Sequence, residues 1–440
     1  MSLPSASPPA IIVRDHTRGV EFGTDSAAAI DRTYGFHRWR IAAKYIDVFF
    51  EPGGPSYNGA VRSAGIKTVI YLDPNLCSGA FPAGPNRDAG PDCAVLGDDA
   101  FYHRDGHPDE PLTVSSTGTI LQKWGNPAST ALQAASRDWA RKLERSDGAY
   151  DLIMIDDASP PPEWWRQAWC WGVGRFAPGD YTCPGHEAAA PFGSGYSREQ
   201  WQRGEAALAA AMPLPVLFNG IGGYTPGEPE AAIASVAATA PNTWGGMCEN
   251  CFYANQGNAH NPFLWTGPIL DDNLTGAMRV IGAGRNLIVV NDDVSDPATR
   301  ERALADMLLF YDPNRLYVAG RPCGNVSLIH ACPEQALTFY EPVGPYPTGP
   351  SSVKTSTGIY AREFRACYDH GKLVGPCAAV VNPDVYASHD LPHLAHDYHH
   401  TLVLHGTGPC DCYGDSGSLT FDGPPPPARL PKATGFVLFP

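Results

Sequence analysis

Eight short apolar runs, separated by helix-like stretches and mostly ending in polar residues, constrain this chain more than any other feature. They lie at 32–36, 45–50, 67–72, 151–155, 211–218, 243–248, 286–290 and 315–319. Helical patterns fall between several of them, at 129–145, 197–211, 228–240, 275–282 and 297–310. Strands that are apolar on both faces belong in a parallel sheet covered by helices. Eight such alternations in roughly 300 residues match a closed (β/α)8 barrel. An open doubly wound sheet is the competing α/β architecture, but the nearest dinucleotide-like loop, Gly282-Ala283-Gly284, precedes a strand where a phosphate-binding turn must follow one.

In a barrel, residues just past the carboxyl ends of the strands line the mouth, so the polar groups there are the candidates for chemistry. The run Tyr150-Asp151-Leu152-Ile153-Met154-Ile155 leads straight into Asp156-Asp157, and the sixth run leads into Glu249. Glycosidic cleavage needs two carboxyl groups flanking one bond, one ionised and one protonated, and Asp156 or Asp157 with Glu249 supplies such a set. Other roles stay open for each residue alone. Asp156 would serve as a helix cap, Asp157 as a partner to a cation, and Glu249 as a solvated group on a turn stapled by Cys248 and Cys251. Asp73, Asn219, Asn291, Asp292 and Asp293 stand at other strand ends, where they would hydrogen-bond sugar hydroxyls; Asp292 or Asp293 is also an alternative nucleophile. The insertion after the fourth run carries Trp164, Trp165, Trp169 and Trp171, and indoles either stack on sugar rings or fill a core. Trp164 and Trp165 are the candidates for substrate contact.

With 440 residues, the chain has room for a barrel and a smaller module. From about residue 357 the pattern becomes short Val-, Tyr- and Phe-rich runs at 358–365, 377–381, 400–404, 418–421 and 435–439, the signature of an antiparallel β-sandwich. The expected division is a catalytic barrel over 1–350 and a β-sandwich over 351–440. A net charge of −15 without a basic stripe argues against nucleic acid and disfavours acidic substrates. No run approaches the roughly 20 apolar residues of a membrane span. The first ten residues lack the basic and apolar parts of a signal peptide. The twelve cysteines form six sequence-local pairs, 77/93, 170/183, 248/251, 323/332, 367/377 and 410/412, which fit disulfides and a secreted or extracytoplasmic protein. A zinc site would need a second ligand pair beside the single Cys-x-x-Cys at 248–251. His393, His396, His399 and His400 lack the Glu of a zinc-protease helix, so no metal is expected, and no redox cofactor either. Neither a Gly-x-Ser-x-Gly elbow nor a phosphate-binding loop occurs.

The segments 150–157 and 244–249, with the tail from Tyr360-Ala361-Arg362-Glu363-Phe364 through Val380-Val381-Asn382-Pro383 to Val437-Leu438-Phe439-Pro440, resemble a large bacterial group of glycoside hydrolases with (β/α)8 barrels. That group is similar at a distance to the α-galactosidase and α-amylase superfamilies. The resemblance implies a C-terminal β-sandwich, an aspartate on strand four as nucleophile and a carboxylate on strand six as acid/base. Carried over, these roles fall on Asp156 and Glu249 and imply retention at the anomeric carbon. The doubled Asp156-Asp157 departs from the pattern and leaves the nucleophile open by one residue. The expected function is a glycoside hydrolase acting on a neutral poly- or oligosaccharide; the rival reading is a carbohydrate-binding protein that kept the barrel and lost the chemistry.

Overall fold

The computed structural model describes the chain apart from residues 1–13, 15–16, 24–26, 29, 31–37, 78–89, 92–94, 105–106, 112, 116–120, 157, 159–197, 223–229, 250, 255–262, 292–296, 321–332 and 406–417. Its centre is a closed barrel of eight parallel strands: β1 (Arg18–Phe22), β2 (Val48–Phe50), β3 (Lys67–Leu72), β4 (Leu152–Ile155), β5 (Val216–Asn219), β6 (Thr243–Glu249), β7 (Asn286–Asn291) and β8 (Leu316–Gly320). Each strand pairs with its sequence neighbours, and β8 closes on β1 through Arg18↔Tyr317 to Val20↔Ala319. The expected first strand at 32–36 lies outside the described residues, and Arg18–Phe22 takes the first place in the barrel. Arg18 and Glu21 interrupt its apolar pattern, which hid it in the sequence. Glu21 is nonetheless buried, its carboxylate accepting the Phe22 N–H at 3.1 Å.

Helices cover the outside. They are α1 (Arg38–Ala42), α2 (Gly54–Ser63), α3 (Thr130–Asp147), α4 (Arg198–Ala211), α5 (Glu230–Thr239), α6 (Gly267–Gly282) and α7 (Pro297–Leu308). Ser129 caps α3, its hydroxyl accepting from the Leu132 N–H at 3.4 Å, and Pro268 sits in the first turn of α6, where no intrahelical donor is missed. The strand expected over 211–218 is shorter because α4 runs on to Ala211 and the Met212–Pro215 turn separates the two.

Alternation fixes the interior column. Val20, Val48, Val69, Leu152, Leu217, Ile288 and Tyr317 face inward, followed two residues on by Phe22, Phe50, Tyr71, Met154, Val290 and Ala319, with Met247 from β6. The amino-terminal end is plugged by Trp244 against Tyr317, ring centroids 5.1 Å apart, and by Asp47, which accepts from the Arg14 and Arg18 guanidiniums at 2.9 to 3.3 Å. The open end is therefore the carboxyl end.

Beyond the barrel, five antiparallel strands form the order β9 (Leu337–Pro342), β10 (Tyr360–Asp369), β11 (Lys372–Val381), β13 (Gly435–Phe439), β12 (His400–Thr401). One face, with Ala379, Val381, Val437 and Phe439, joins the same core as Leu304, Ala305 and Leu308 of α7. The other, with Ala378, Val380 and Leu438, packs under Leu391, Leu394, Tyr398 and Leu430. This is the antiparallel sandwich-like domain appended to the barrel. Its first strand, Leu337–Pro342, precedes residue 351, because it pairs with β10 while following β8 after a short stretch of chain. Arg302 of α7 ties the two parts together: buried, it pairs with Asp306 at 2.9 Å and donates to the Asn382 carbonyl at 3.3 Å. Cys367 and Cys377 are bridged across β10 and β11. Among the described residues no helix is long and apolar enough to cross a membrane.

Candidate active site

The same alternation that fills the barrel builds its mouth. Met154, Leu217 and Met247 are interior residues, so Asp156, Asn219 and Glu249, each two positions further, continue the column above the apolar layers. Tyr71 joins them from β3. Three hydrogen bonds link the four side chains. The Tyr71 hydroxyl donates to Asp156 Oδ2 at 2.5 Å, and Asn219 Nδ2 donates both to Asp156 Oδ1 at 2.7 Å and to Glu249 Oε2 at 3.1 Å. The amide of Asn219 cannot be turned around, because its Oδ1 accepts the Gly220 N–H at 2.8 Å. One NH2 group therefore bridges the two carboxylates.

The backbone under Asp156 is held from both sides. Its N–H donates to the Leu72 carbonyl at 2.8 Å, and its own carbonyl accepts from Asn75 Nδ2 at 3.0 Å. Asn75 is fully buried. Across the mouth, Phe22 and Phe50, the last residues of β1 and β2, stack with centroids 4.7 Å apart. Glu51 follows them with its backbone in the left-handed region at φ 45° and its Oε1 accepting the Tyr71 N–H at 3.3 Å. Burial pushes the Glu51 carboxyl above its ordinary range, against the lowering effect of that backbone donor.

Glu249 stands on a rigid edge, not on a solvated turn. Cys248 and Cys251 form a disulfide and both are fully buried, with Phe252 beside them. Asn273 of α6 donates to the Cys251 carbonyl at 2.8 Å. The chain leaving β5 folds over this edge: Gly220 adopts φ 107°, and a Cβ on Gly222 would lie 2.7 Å from Cys248 Sγ. Only glycine suits both positions.

Of the residues singled out in the sequence, Asp156, Asn219 and Glu249 are brought together. Asp73 follows β3, and its charge acts on a different group, the buried Glu205. Asn291 is the last residue of β7, paired with Gly320. Asp157, Trp164, Trp165, Asp292 and Asp293 lie outside the described residues. Tyr71, Asn75 and Glu51 were missed. The signal for Glu51 was present, since Glu51-Pro52-Gly53 follows the apolar Val48-Phe49-Phe50 in the pattern used elsewhere; Tyr71 reads simply as a strand residue. Among the described residues no group of three or more His, Cys, Asp or Glu side chains suits a metal ion.

Neither a family model nor a curated relative matches this sequence. Solved structures do. The chain is similar to the glycoside hydrolase domain of PelA from Pseudomonas aeruginosa, with 11% identity over 69% of this chain and 94% of that one, at a TM-score of 0.39. It is also similar to an α-galactosidase from Thermus thermophilus, with 15% identity over 70% and 61% of the two chains and a TM-score of 0.37. A trehalose-6-phosphate hydrolase from Bacillus licheniformis aligns over 96% of this chain and 99% of its own, with 9% identity and a TM-score of 0.43.

Proposed function

We propose that this protein is a glycoside hydrolase that cleaves a neutral poly- or oligosaccharide with retention, Asp156 acting as nucleophile and Glu249 as acid/base. The observation that carries this reading is the shared Asn219 nitrogen. The nearest oxygens of the two carboxylates lie 2.7 and 3.1 Å from it, so they are separated by less than those two lengths combined. That limit falls short of the roughly 6.5 Å at which pairs that leave room for a water, and invert, begin. Both oxygens of Asp156 accept hydrogen bonds, as befits an ionised group held for attack.

In the first step Asp156 attacks the anomeric carbon while Glu249 gives its proton to the departing glycosidic oxygen, and the C–O bond breaks. A glycosyl ester on Asp156 results. In the second step Glu249 takes a proton from water, the water oxygen attacks the anomeric carbon, and Asp156 leaves as a carboxylate. Asn219 suits both steps. Its NH2 holds the charge on Asp156 before attack and the charge on Glu249 after proton transfer, with no rearrangement in between. The stacked Phe22 and Phe50 offer an apolar wall, and a net charge of −15 favours an uncharged sugar. The disulfide beside Glu249 supports a protein that works outside the reducing cytoplasm.

A polysaccharide panel with reducing-end detection identifies the substrate. On it, Asp156→Asn and Glu249→Gln should each lower turnover more than about a hundredfold with the fold intact. Proton NMR should show the anomer of the substrate's own configuration released first. Initial release of the inverted sugar would remove Asp156 from the nucleophile's role, and sugar binding without turnover of any panel member would favour a binding protein.

A further inference from the structure

Among the described residues, the most exposed large apolar side chain is that of Tyr386, at 92% of its full accessibility. It stands in the turn that follows β11 in the C-terminal domain, with Val385 beside it at 38%. A single exposed aromatic residue is ordinary on a protein surface, and exposure alone assigns it nothing. Two further observations set this one apart: the turn is fixed, and it lies at the catalytic end of the barrel.

Hydrogen bonds fix the turn. Asp384 Oδ1 accepts the N–H groups of Tyr386 and Ala387 at 2.7 and 3.1 Å, while its Oδ2 accepts from His389 Nε2 at 2.9 Å. Asn382, fully buried, anchors the base: its Oδ1 accepts the Asp384 N–H at 3.0 Å, and its Nδ2 lies 2.9 to 3.1 Å from the carbonyl oxygens of Ala387, Leu430 and Pro431. The Asp384 carbonyl accepts the Ala433 N–H at 2.8 Å. None of these bonds uses the Tyr386 side chain, which the turn holds out into solvent. A flat, amphipathic ring is thus presented on backbone that is already ordered, so little entropy is left to lose when a ligand settles on it.

The place of the turn follows from topology. In a (β/α)8 barrel each helix starts at the end where the preceding strand finishes, so α6 begins on the side onto which Glu249, the last residue of β6, opens. The Gly267 N–H, at the start of α6, donates to the Pro383 carbonyl at 3.4 Å, and the Trp265 N–H donates to the Phe252 carbonyl at 2.8 Å. Phe252 is three residues past Glu249, and Pro383 is three residues before Tyr386. Two hydrogen bonds and short stretches of chain therefore connect the turn to the candidate acid/base. The exposed Leu373 stands at the far end of β11, beside the hairpin that pairs Asp369 with Lys372, so it forms no patch with Tyr386.

Size and charge decide what the ring can hold. A stable protein partner needs about 800 Å² on each side, whereas one tyrosine supplies roughly 150 to 250 Å² and Val385 adds little. The surroundings are polar. Two residues beyond the ring, the Ser388 carbonyl accepts from the Arg429 guanidinium at 2.8 Å, and Arg429 pairs with Asp390 at 3.1 Å, both of these side chains being exposed. A small ring with a C–H face and a rim of hydroxyls matches this setting, its face on the tyrosine and its hydroxyls toward the polar groups.

We propose that Tyr386 is the platform of a second carbohydrate site, which holds a neutral polysaccharide chain on the C-terminal domain at the catalytic end of the barrel. The proposal rests on the reading of the protein as a glycoside hydrolase and narrows it, because the substrate is then a polymer long enough to reach both places.

Affinity electrophoresis in native gels tests it, with starch, dextran, xylan, galactomannan and mixed-linkage β-glucan each cast into a gel as the probe. The protein carries Asp156→Asn, so that the gel is not digested. At least one polymer should retard it. From mobility against polymer concentration, Tyr386→Ala should weaken the apparent affinity about three- to tenfold, and Tyr386→Trp should keep or strengthen it. So exposed a ring contributes little to packing, and thermal melts of the three proteins should coincide. Retardation of Tyr386→Ala equal to that of its parent would overturn the proposal, as would no retardation by any polymer. Self-association in sedimentation without polysaccharide, abolished by Tyr386→Ala, would assign the ring to a second copy of the chain and overturn the carbohydrate site. The two readings fail separately. Turnover on the polysaccharide panel with no effect of Tyr386→Ala on retardation keeps the hydrolase and removes the platform. Retardation that depends on Tyr386, without turnover of any polymer by the wild type, keeps the platform and removes the hydrolase.

Discussion

Replacing Asn219 by alanine removes the donor that two carboxylates share. Both bonds involve charged acceptors, at 2.7 and 3.1 Å, and a hydrogen bond of this kind contributes about 1.5 to 3 kcal/mol. The full loss is not expected in the rate. Asp156 and Glu249 are half-buried at an open mouth, so water replaces part of what the amide gave, and the Tyr71 hydroxyl still holds Asp156. Retaining about half of the combined loss gives roughly 1.5 to 3 kcal/mol in the barrier, or about ten- to a hundredfold in kcat/KM. The loss should appear in kcat, because in the proposed mechanism the amide tracks charge that moves from Asp156 to Glu249 and does so in each step. Asn219→Asp should be worse. It keeps the shape but places a third acidic group between the two, and the pH profile should shift as the three carboxyls compete for protons. Initial-rate kinetics on the substrate from the panel, with near-ultraviolet circular dichroism to confirm the fold, decide the matter. An Asn219→Ala enzyme within threefold of wild type, or one whose loss lies in KM alone, would refute the bridging role.

Three further outcomes follow from the geometry. Tyr71→Phe removes only the hydroxyl on Asp156, so kcat should fall about tenfold, one charge-assisted hydrogen bond partly replaced by water, with the melting temperature nearly unchanged; steady-state kinetics and a thermal melt check both halves. The double change Cys248→Ala, Cys251→Ala closes no long loop in the unfolded chain, so it should cost only about 2 kcal/mol of stability while lowering kcat through a looser Glu249, as urea unfolding and rate measurements would show. Asp306→Ala leaves the buried Arg302 guanidinium without its carboxylate and should destabilise the protein by about 3 kcal/mol or more, read from urea unfolding, with KM unchanged because the pair lies between α7 and the C-terminal sheet.

The barrel was legible because its strands are apolar on both faces. Lys67–Leu72 and Thr243–Glu249 come within a residue of their expected bounds, and α3, expected over 129–145, spans Thr130–Asp147. Legibility failed where a polar residue inside a strand is satisfied by its own backbone, as Glu21 is, since nothing in the one-dimensional pattern records that bond. It failed again for Asn75, whose significance lies in the Asp156 carbonyl it donates to. In the sequence Asn75 reads as part of a turn.

The doubled Asp156-Asp157 shows how register supplies what composition leaves open. Side chains on a strand alternate between the two faces, so only one of two adjacent residues continues an interior column. Leu152 and Met154 belong to the barrel interior, whereas Ile153 and Ile155 belong to the layer between strands and helices. The column therefore passes through Asp156, and the hydrogen bonds from Tyr71 and Asn219 meet it there. Parity extends the same column on β5 from Leu217 to Asn219, and on β6 from Met247 to Glu249. Three neighbouring strands, each ending its interior face on a polar residue at the same height, make one site out of residues 63 and 30 positions apart in the chain. A slip of one residue in β4 would turn Asp156 toward the helices and carry Met154 out of the interior with it, so the apolar packing below enforces the placement of the carboxylate above.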